Sequence, residues 1–516
     1  MLITEDVPTE ILEKILLNVD LQGVARCCQV CRRFHDIIVN SISIQYRLEL
    51  AVDGFTDGPP GGLTVGDRLR ALRDRRKNWM TMQPTSRKVV FSQDRDYASP
   101  ARVVRMGAPS RGISEKESVY TGFTVETSRW NAEEDVLVFE LESPSESSTP
   151  HLRFLSLATQ ESHSKAFKHT VAFDEFPNYS DGCTVMLWEV FYSYIGFMTR
   201  TRTGDVDSLA VYDWKSGTFI LTVTSEDSFG YIFPSERYLL LVYLDEDLSP
   251  EFATMSAVDL LKVQKQGGDS GLPIEFFVDT LDTNIITCHF LTCYFRLLNA
   301  SRGLSVQIYF SPKVWHPQGH DTQVPFHVGD SRLLALYFNT DDDDGVAMFI
   351  PCATIMWHIE QAEADPSKDR VEWSGLGVTG TRIVGHGQIY HDNFCGMTAF
   401  VQQNTFGPTL SVPMYLYNFT PSFVRKCLAD TSVGRAPPGV EYSSQSECND
   451  PRFGSRQGMV TKLPAYRVEI PLRLLVHPTH PNDLKMTGVV PWDDGLVIFF
   501  RPVDPNQQRE YHILSF

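Results

Sequence analysis

The stretch SLAVYDWKSGTFILTV, residues 208–223, shows the pattern that dominates most of the 516-residue chain. Two runs rich in apolar, β-branched and aromatic residues flank the turn residues Lys215, Ser216 and Gly217, which predicts a strand, a tight turn and a second strand. From about residue 88 onward, short runs of this kind recur between Gly, Pro, Asn, Asp and Ser, and helical periodicity is nearly absent. The clearest runs are DVLVFEL (135–141), HLRFLSL (151–157), SLAVYDW (208–214), RYLLLVYL (237–244), SVQIYF (305–310), RLLALYF (332–338), GVAMFI (345–350), PMYLYNF (413–419) and GLVIFF (495–500). A β region of this length is too long for one sandwich, so we predict radial repetition, as in a β-propeller.

A weak repeat supports this prediction. The pair Asp213-Trp214 before the turn resembles the end of one blade and the start of the next in WD-repeat propellers, where a strand closes with a Trp-Asp pair. Here the order of the pair is reversed, and no Gly-His motif precedes it. Asp259 follows Asp213 after 46 residues, near the period of such blades, and two further periods reach Pro351. The fold class we predict is therefore α+β multidomain, with a helical start and a propeller of about seven or eight blades.

The N-terminus has a different pattern, with apolar residues at helical spacing. A unit of about 40 residues usually needs a metal, disulfides or a partner to hold its fold. Cys27, Cys28 and Cys31 contain a C-x-x-C, but His35 is the nearest further zinc ligand, so we interpret these cysteines as buried thiols. Two sets carry the periodicity: Ile11, Leu12, Ile15, Leu16 and Val19, then Leu21, Val24, Cys28, Cys31 and Phe34. Two short helices cannot cover this much apolar surface by themselves.

Three regions follow from these patterns: a helical domain at 1–50, a linker plus helix at 51–87, and the β-rich region at 88–516. The Gly/Pro stretch DGFTDGPPGG at 53–62 separates the first helices from a further helix of about 15 residues. Thr64 and Asp67 can form a variant of the capping box at the start of that helix. Its apolar face contains Val65, Leu69, Leu72, Trp79 and Met82. We interpret its basic run RDRRK (73–77) as a solvated helix face, with a nuclear address as the alternative.

The N-terminal residues also resemble a known family. The pattern Val7-Pro8-x-Glu10-Ile11-Leu12-x-x-Ile15-Leu16, then Leu21-x-x-Val24, then Val30-Cys31-Arg32-x-Phe34 looks like the F-box, with Val7 in place of the usual Leu. The continuation to about residue 82 resembles the segment that follows the F-box in a large group of fungal F-box proteins. Together these stretches cover one sixth of the chain.

The resemblance implies a function without chemistry of its own. F-box proteins dock on the Skp-type adaptor of a cullin-RING ubiquitin ligase and hold a substrate with the rest of the chain. The partners it implies are thus the adaptor, the cullin and RING subunits, and an unknown protein substrate, with no cofactor and no metal. On this interpretation the adaptor-binding residues are found among Pro8, Ile11, Leu12, Ile15, Leu16, Val24, Val30, Cys31 and Phe34. The pattern does not distinguish those that face the adaptor from those that hold the helices together.

Three other functions stay open at this point. The helices can pack only on the chain's own β region, or the protein can be a propeller scaffold that uses the F-box outside a ligase. A propeller enzyme is less favoured, because the sequence contains no G-x-S-x-G, P-loop, H-E-x-x-H or dinucleotide motif. Possible catalytic or metal-binding groups are His316, His320 and Asp321, then His386, His391 and Asp392, then His477 and His480, and the acidic run DDDDG at 341–345. We interpret the histidines as turn residues and the acidic run as an exposed loop, and Trp188, Trp315 and Trp357 as core rather than recognition residues.

Charge and hydropathy limit the partners and the compartment. The net charge is −18, and all of it lies beyond residue 83, because the first 83 residues have equal numbers of acidic and basic side chains. This acidic balance disfavours nucleic acid as a partner. We see no secretory signal and no apolar run long enough to span a bilayer, and the ten cysteines have no disulfide framework. We therefore expect no membrane partner and a cytoplasmic and/or nuclear location.

Overall fold

The computed structural model consists of an N-terminal helical region and a large β region. It describes residues 7–58, 61–92, 125–131, 134–141, 149–157, 159, 161–180, 183–204, 206–226, 229–244, 252–267, 274–277, 289–296, 305–310, 325–329, 331–339, 345–368, 370–371, 376–377, 380–385, 387–389, 394–403, 413–432, 440–443, 446–448, 459–475, 484–492, 495–502 and 509–516.

The helical region begins with four short helices and continues to a longer one. They are α1 (Thr9–Asn18), α2 (Leu21–Val30), α3 (Arg32–Asn40), α4 (Ile42–Asp53) and, after strand β1 (Phe55–Asp57), α5 (Val65–Thr81). The Thr64 hydroxyl accepts a hydrogen bond from the backbone N–H of Asp67 at 3.2 Å, which confirms the predicted cap of α5. Helix α4 ends at Gly54, whose φ of 73° is left-handed and suits glycine.

Strands make up most of the remaining described chain. Strand β2 is Ser86–Ser92. Blade 1 contains β3 (Val125–Asn131), β4 (Val136–Leu141), β5 (His151–Ser156) and β6 (Thr170–Ala172). Blade 2 contains β7 (Thr184–Phe191), β8 (Tyr194–Arg200), β9 (Asp207–Asp213) and β10 (Thr218–Ser225), and blade 3 contains β11 (Phe229–Ile232), β12 (Tyr238–Leu244), β13 (Phe252–Asp259) and β15 (His289–Arg296). β14 (Ile274–Phe277) extends blade 2 in parallel to β10, and β20 (Arg370–Val371) extends blade 3 in parallel to β15.

The C-terminal half continues in the same way. Blade 4 contains β16 (Ser305–Phe310), β18 (Leu333–Asn339), β19 (Val346–Pro351) and β21 (Arg382–Val384). Blade 5 contains β22 (Gly387–Gln388), β23 (Phe394–Cys395), β24 (Thr398–Gln403), β25 (Met414–Asn418), β26 (Val440–Ser443) and β29 (Ala465–Glu469). Blade 6 contains β2, β30 (Leu484–Trp492), β31 (Gly495–Pro502) and β32 (Arg509–Ser515). Two small sheets pair β1 with β17 (Phe326–Val328) and β27 (Ser446–Cys448) with β28 (Met459–Thr461).

The β region is a six-bladed propeller, so the fold class is confirmed and the expected seven or eight blades are wrong. The error lies in the assumed period. Asp213, Asp259 and Pro351 each end the third strand of a blade, as the repeat suggested. Pro351, however, lies one blade after Asp259 rather than two, because blades 3 and 4 contain longer connections than a WD-repeat blade.

Helices account for part of that extra length, and the sequence reasoning missed them. Helix α6 (Leu260–Gly267) follows β13, α7 (Cys352–Ala364) follows β19, and α8 (Pro421–Ser432) follows β25. Each therefore follows the third strand of its blade. A short α9 (Leu472–Leu475) precedes blade 6. Among the described residues, no helix is long and apolar enough to cross a membrane.

The core consists of apolar clusters between neighbouring blades. In β12, the even-numbered residues from Tyr238 to Val242 pack toward blade 4, whereas the odd-numbered residues from Leu239 to Tyr243 pack toward blade 2. A strand that is covered on both sides reads as a continuous apolar run rather than an alternating one. This explains why YLLLVYL has the composition of a buried helix segment but the length of a strand.

Blade 6 joins the two ends of the β region. β2, which directly follows the helical region, pairs antiparallel with β32, with Ser86 opposite Ser515. Arg87 donates from Nε to Nδ1 of the fully buried His512 at 3.1 Å. Backbone hydrogen bonds between distant parts of the chain thus complete the outer edge of this blade.

A close contact between blades 2 and 3 gives a first prediction. Gly196 in β8 lies against Tyr231 in β11, whose hydroxyl donates to the Gly196 carbonyl at 2.5 Å, and an added Cβ would overlap the tyrosine ring. Gly196→Ala is expected to lower the free energy of unfolding by about 1–3 kcal/mol, because the buried ring has no room to move. Urea denaturation measures this. Gly62→Ala, where a Cβ meets nothing within 4 Å, is the control, and equal stability of both variants would contradict the packing argument.

Candidate functional site

Helix α1 divides its apolar residues between two faces. Leu12 and Leu16 pack into a small core formed with the next three helices, and Leu16 is 2% exposed. Ile11 and Ile15 lie about 100° away around the helix axis, and Ile15 is 53% exposed. The single apolar stripe seen in the sequence is therefore two stripes, of which only one is covered by the helices themselves.

Helix α2 also has both buried and exposed apolar residues. Asp20 caps α2 by accepting a hydrogen bond from the backbone N–H of Gly23 at 2.6 Å. Val24 in the middle of α2 is buried in the same core, whereas Leu21 and Val30 at its two ends are exposed, Val30 to 68%. The two ends of α2 thus each expose one apolar side chain, on opposite sides of the helix.

The structure sorts the nine predicted adaptor-binding residues into two groups. Leu12, Leu16 and Val24 lie inside the helical core, and Phe34 packs partly buried against it. The exposed members are Pro8, Ile11, Ile15, Val30 and Cys31. Leu21, Val39 and Ile42 are also exposed and were absent from the predicted set. The sequence contains no signal for this division, since buried and exposed members share the same helical spacing. We define the exposed apolar set as Ile11, Ile15, Leu21 and Val30.

The interpretation of Cys27, Cys28 and Cys31 as buried thiols is wrong for Cys31. Cys27 and Cys28 are partly buried, but Cys31, which directly precedes α3, is exposed. In the part of the chain that the structure describes, no group of three or more His, Cys, Asp or Glu side chains is placed to hold a metal ion. The exposed Cys31 instead borders the exposed apolar set.

Comparison with protein families identifies this helical region. Residues 4–50 match the family model described as F-box-like. This chain has an F-box-like domain. The matched range includes α1, α2, α3 and most of α4, and thus all nine residues discussed above. F-box domains in general bind Skp-type adaptors.

The other comparisons add little. No curated protein matches the chain at a significant level. A solved structure described in a study of two prolyl endopeptidases is similar with a TM-score of 0.24 and 10% sequence identity, over 74% of this chain and 53% of that one. The chain thus spans about half the length of the solved structure that it matches. A likeness this distant supports no conclusion about function.

A buried cluster of charges holds the F-box-like domain on the propeller. Glu49 of α4 pairs with Arg76 of α5 at 2.7 Å and with Lys426 of α8 at 2.5 Å. Asp53 pairs with Nε of Arg76 at 2.7 Å, and their side chains are 5% and 10% exposed. Ser422 of α8 also donates from its hydroxyl to the Ala51 carbonyl at 2.9 Å. Helix α8 of blade 5 is thus tied to the last helix of the F-box-like domain.

A second contact lies at blade 4. β1 pairs antiparallel with β17, with Phe55 opposite Val328. The hydroxyl of Tyr46 donates to Asp57 at 2.7 Å and lies 3.1 Å from the carbonyl of Pro325. Burial, followed by the hydrogen bond to Asp57 and the charge of that carboxylate, raises the pKa of Tyr46, so this hydroxyl remains a donor. Two independent contacts fix the orientation of the F-box-like domain relative to the blades.

Both contacts lie at the same end of the propeller. β17 lies between the first and second strands of blade 4, and α8 between the third and fourth strands of blade 5. In an antiparallel sheet these two connections emerge at one end, and the connection between strands two and three emerges at the other. The described contacts of the F-box-like domain with blades 4 and 5 therefore lie at one end of the propeller.

The charge cluster also corrects one interpretation. We interpreted RDRRK (73–77) as a solvated helix face, and Arg73 and Lys77 are indeed exposed. Arg76 is instead buried between Glu49 and Asp53. Arg76 of α5 thus forms part of the contact with α4 instead of facing solvent.

The pKa of Glu49 gives a prediction of pH dependence. Burial would raise this pKa, but the hydrogen bond from Lys426 and the charge of Arg76 outweigh it and lower the pKa to about 2. A carboxylate with a lowered folded-state pKa stabilises the fold above its ordinary pKa, and this stabilisation disappears as the pH falls toward 2. Wild type should exceed Glu49→Gln in unfolding free energy by up to about 3 kcal/mol at pH 6, and the difference should shrink between pH 4.5 and 2.5. A pH-independent difference in urea titrations would contradict the assignment.

Of the other candidate residues, the structure describes two tryptophans, Trp188 and Trp357. Trp188 is buried and donates from Nε1 to Glu140 at 2.9 Å, as expected of a core tryptophan. Trp357 on α7 is 55% exposed, so the core interpretation is wrong for it. The following lie outside the described residues: Trp315, the groups around His316 and His320, His386 with His391 and Asp392, His477 with His480, and the acidic run at 341–344.

Proposed function

We propose that the chain is a non-catalytic substrate-receptor subunit of a cullin-RING ubiquitin ligase. The observation that carries this proposal is the exposed apolar set, above all Ile11 and Ile15, which lie one helical turn apart on the same face of α1 within an F-box-like domain. Large aliphatic side chains exposed side by side are typical of a surface that a partner covers. A Skp-type adaptor that lays helices against this set fits the requirement.

The docking of the domain on the propeller supports the same role. A receptor acts by holding a substrate lysine near the charged conjugating enzyme, which raises the effective concentration of the two reactants. A flexible connection between the helices and the propeller would lower this effective concentration. The buried pairs around Glu49 and the β1–β17 pairing hold the adaptor-binding helices in a fixed orientation.

The substrate surface in this proposal is the propeller end face opposite the F-box-like domain. Connections on a rigid scaffold of strands commonly carry recognition. The substrate is a protein, and the location of the complex is the cytoplasm and/or the nucleus.

Reconstitution tests the proposal. The full chain is mixed with a Skp-type adaptor, and then with cullin and RING subunits, and each step is followed by size-exclusion chromatography with mass measurement. We expect a 1:1 complex with the adaptor and recruitment of the cullin and RING subunits through it. An adaptor complex that excludes the cullin would support a scaffold outside a ligase. Failure to bind the adaptor would overturn the proposal.

A further inference from the structure

Helix α1 ends at Asn18 without the features that commonly close a helix. Its last turn contains no basic residue, and Val19, which follows it, has an extended backbone. The N–H of Val19 donates to the carbonyl of Leu16, whereas the carbonyl of Leu17 depends on a group from another part of the chain. The last carbonyls of a helix have no partner within the helix, and a cation beside them is favourable because this end carries partial negative charge.

Arg47 of α4 supplies that group. Its Nη1 donates to the Leu17 carbonyl at 2.6 Å and lies 3.5 Å from the carbonyl of Leu16. A hydrogen bond from a charged donor is stronger than a neutral one, and the guanidinium also brings a positive charge to the C-terminus of α1. Arg47 and Leu17 are 30 residues apart, so this contact joins two helices rather than closing a local turn.

A second polar contact joins the same two helices. The hydroxyl of Ser41, which directly precedes α4, donates to the carboxylate of Glu13. Glu13 and Ile11 are two positions apart on α1 and thus about 160° apart around its axis. The contact therefore holds the side of α1 that is turned away from the exposed apolar set, and a rotation of α1 would break it.

Helix α4 also contacts the propeller. Ser41 and Arg47 hold α1, whereas Glu49 and Asp53, further along the same helix, belong to the buried charge cluster that ties α4 to α5 and α8. One continuous helix thus connects the helix that carries Ile11 and Ile15 with blade 5. The orientation of α1 relative to the propeller depends on its contacts with α4.

We propose that Arg47 is a positioning residue for the adaptor-binding surface. It holds α1 at the rotation in which Ile11 and Ile15 face the adaptor, and it acts through α1 rather than by contact with the adaptor. This inference rests on the proposed receptor function. Without Arg47, α1 would have to be ordered when the adaptor binds, and the loss of this preorganisation would lower the affinity.

A double-mutant cycle tests the proposal. Arg47→Met should weaken binding of a Skp-type adaptor about tenfold in biolayer interferometry. In a chain that already carries Ile11→Ala and Ile15→Ala, the same substitution should change the affinity less than about twofold, because the side chains that Arg47 orients are gone. Arg47→Lys retains the cation and should keep the affinity within about threefold of wild type. Arg70→Met, which removes an exposed guanidinium from α5, is the matched control and should have no effect.

Hydrogen exchange of the free chain separates this proposal from the receptor role, because it needs no adaptor. Amide exchange in α1 should become about tenfold faster in Arg47→Met, while α5 keeps its wild-type rates. If the adaptor does not bind the wild type, the receptor role fails, and exchange in α1 still decides whether Arg47 holds this helix. Unchanged exchange in α1, or an equal loss of adaptor affinity in both backgrounds, would overturn the proposal.

Discussion

Ile11→Asp combined with Ile15→Asp is expected to weaken binding of a Skp-type adaptor about a thousandfold, while the fold stays intact. Burial of one isoleucine side chain is worth about 1.5–3 kcal/mol, and two lost side chains thus account for about three powers of ten. Both residues are exposed in the free chain, so the substitutions leave no cavity in the helical core. Calorimetry or biolayer interferometry with the purified adaptor measures the change.

The matched control substitutes exposed apolar residues elsewhere. Leu261 on α6 and Trp357 on α7 are similarly exposed but belong to the propeller. Leu261→Asp with Trp357→Asp should leave the adaptor affinity within about threefold of wild type, a difference of less than about 1 kcal/mol. Equal loss in both double variants, or unchanged affinity in Ile11→Asp with Ile15→Asp, would show that the exposed apolar set is not the adaptor surface.

A second large effect is expected for Arg76→Met, which should lower the free energy of unfolding by about 3–5 kcal/mol. Removal of one partner leaves the Asp53 carboxylate buried without its ion pair, and a buried charge without compensation is strongly unfavourable. Methionine retains most of the side-chain volume, so packing contributes little. Urea denaturation followed by circular dichroism gives the free energy, and hydrogen exchange in α4 and α5 shows where protection is lost.

Arg70→Met is the control on the same helix. Arg70 pairs with Asp67 at 3.2 Å, but its side chain is 73% exposed, and such surface pairs contribute about 0–1 kcal/mol. Adding Asp53→Asn to Arg76→Met should recover part of the loss, because it removes the uncompensated charge. Equal destabilisation by Arg70→Met and Arg76→Met would contradict the buried-pair explanation.

The Arg76→Met variant also has an expected pH dependence. Burial already raises the pKa of Asp53 in the intact protein, and without Arg76 that pKa should rise further. A carboxyl with a raised folded-state pKa binds its proton more tightly in the folded state, so stability increases as the pH falls toward that pKa. The decrease in unfolding free energy that Arg76→Met causes at pH 7 should therefore be smaller near pH 5. Adaptor affinity should stay near the wild-type value throughout, because the exposed apolar set lies on α1 and α2.

The sequence predicted the kinds of elements well and their number less well. All nine apolar runs singled out after residue 88 are strands, because a run of four to eight β-branched and aromatic residues between turn residues is too short for a buried helix. The cap at Thr64 was predicted from local chemistry alone. The blade count was wrong because Pro351 was assigned to the wrong repeat. Helices α6, α7 and α8 were missed, although the buried Ile355, Ile359 and Ala362 of α7 recur at helical spacing.

The sequence by itself determined that short helices with an F-box pattern precede a propeller, because periodicity and turn residues are local properties of the chain. Only the tertiary structure decided which apolar residues of α1 and α2 are covered, since Leu12 and Ile11 differ by 100° around one helix and not in composition. It likewise decided that Glu49, Asp53 and Arg76 form one cluster with Lys426. These residues come together because the propeller brings blade 5 next to α4 and α5. Contacts between residues so far apart in the chain produce no periodic pattern in the sequence.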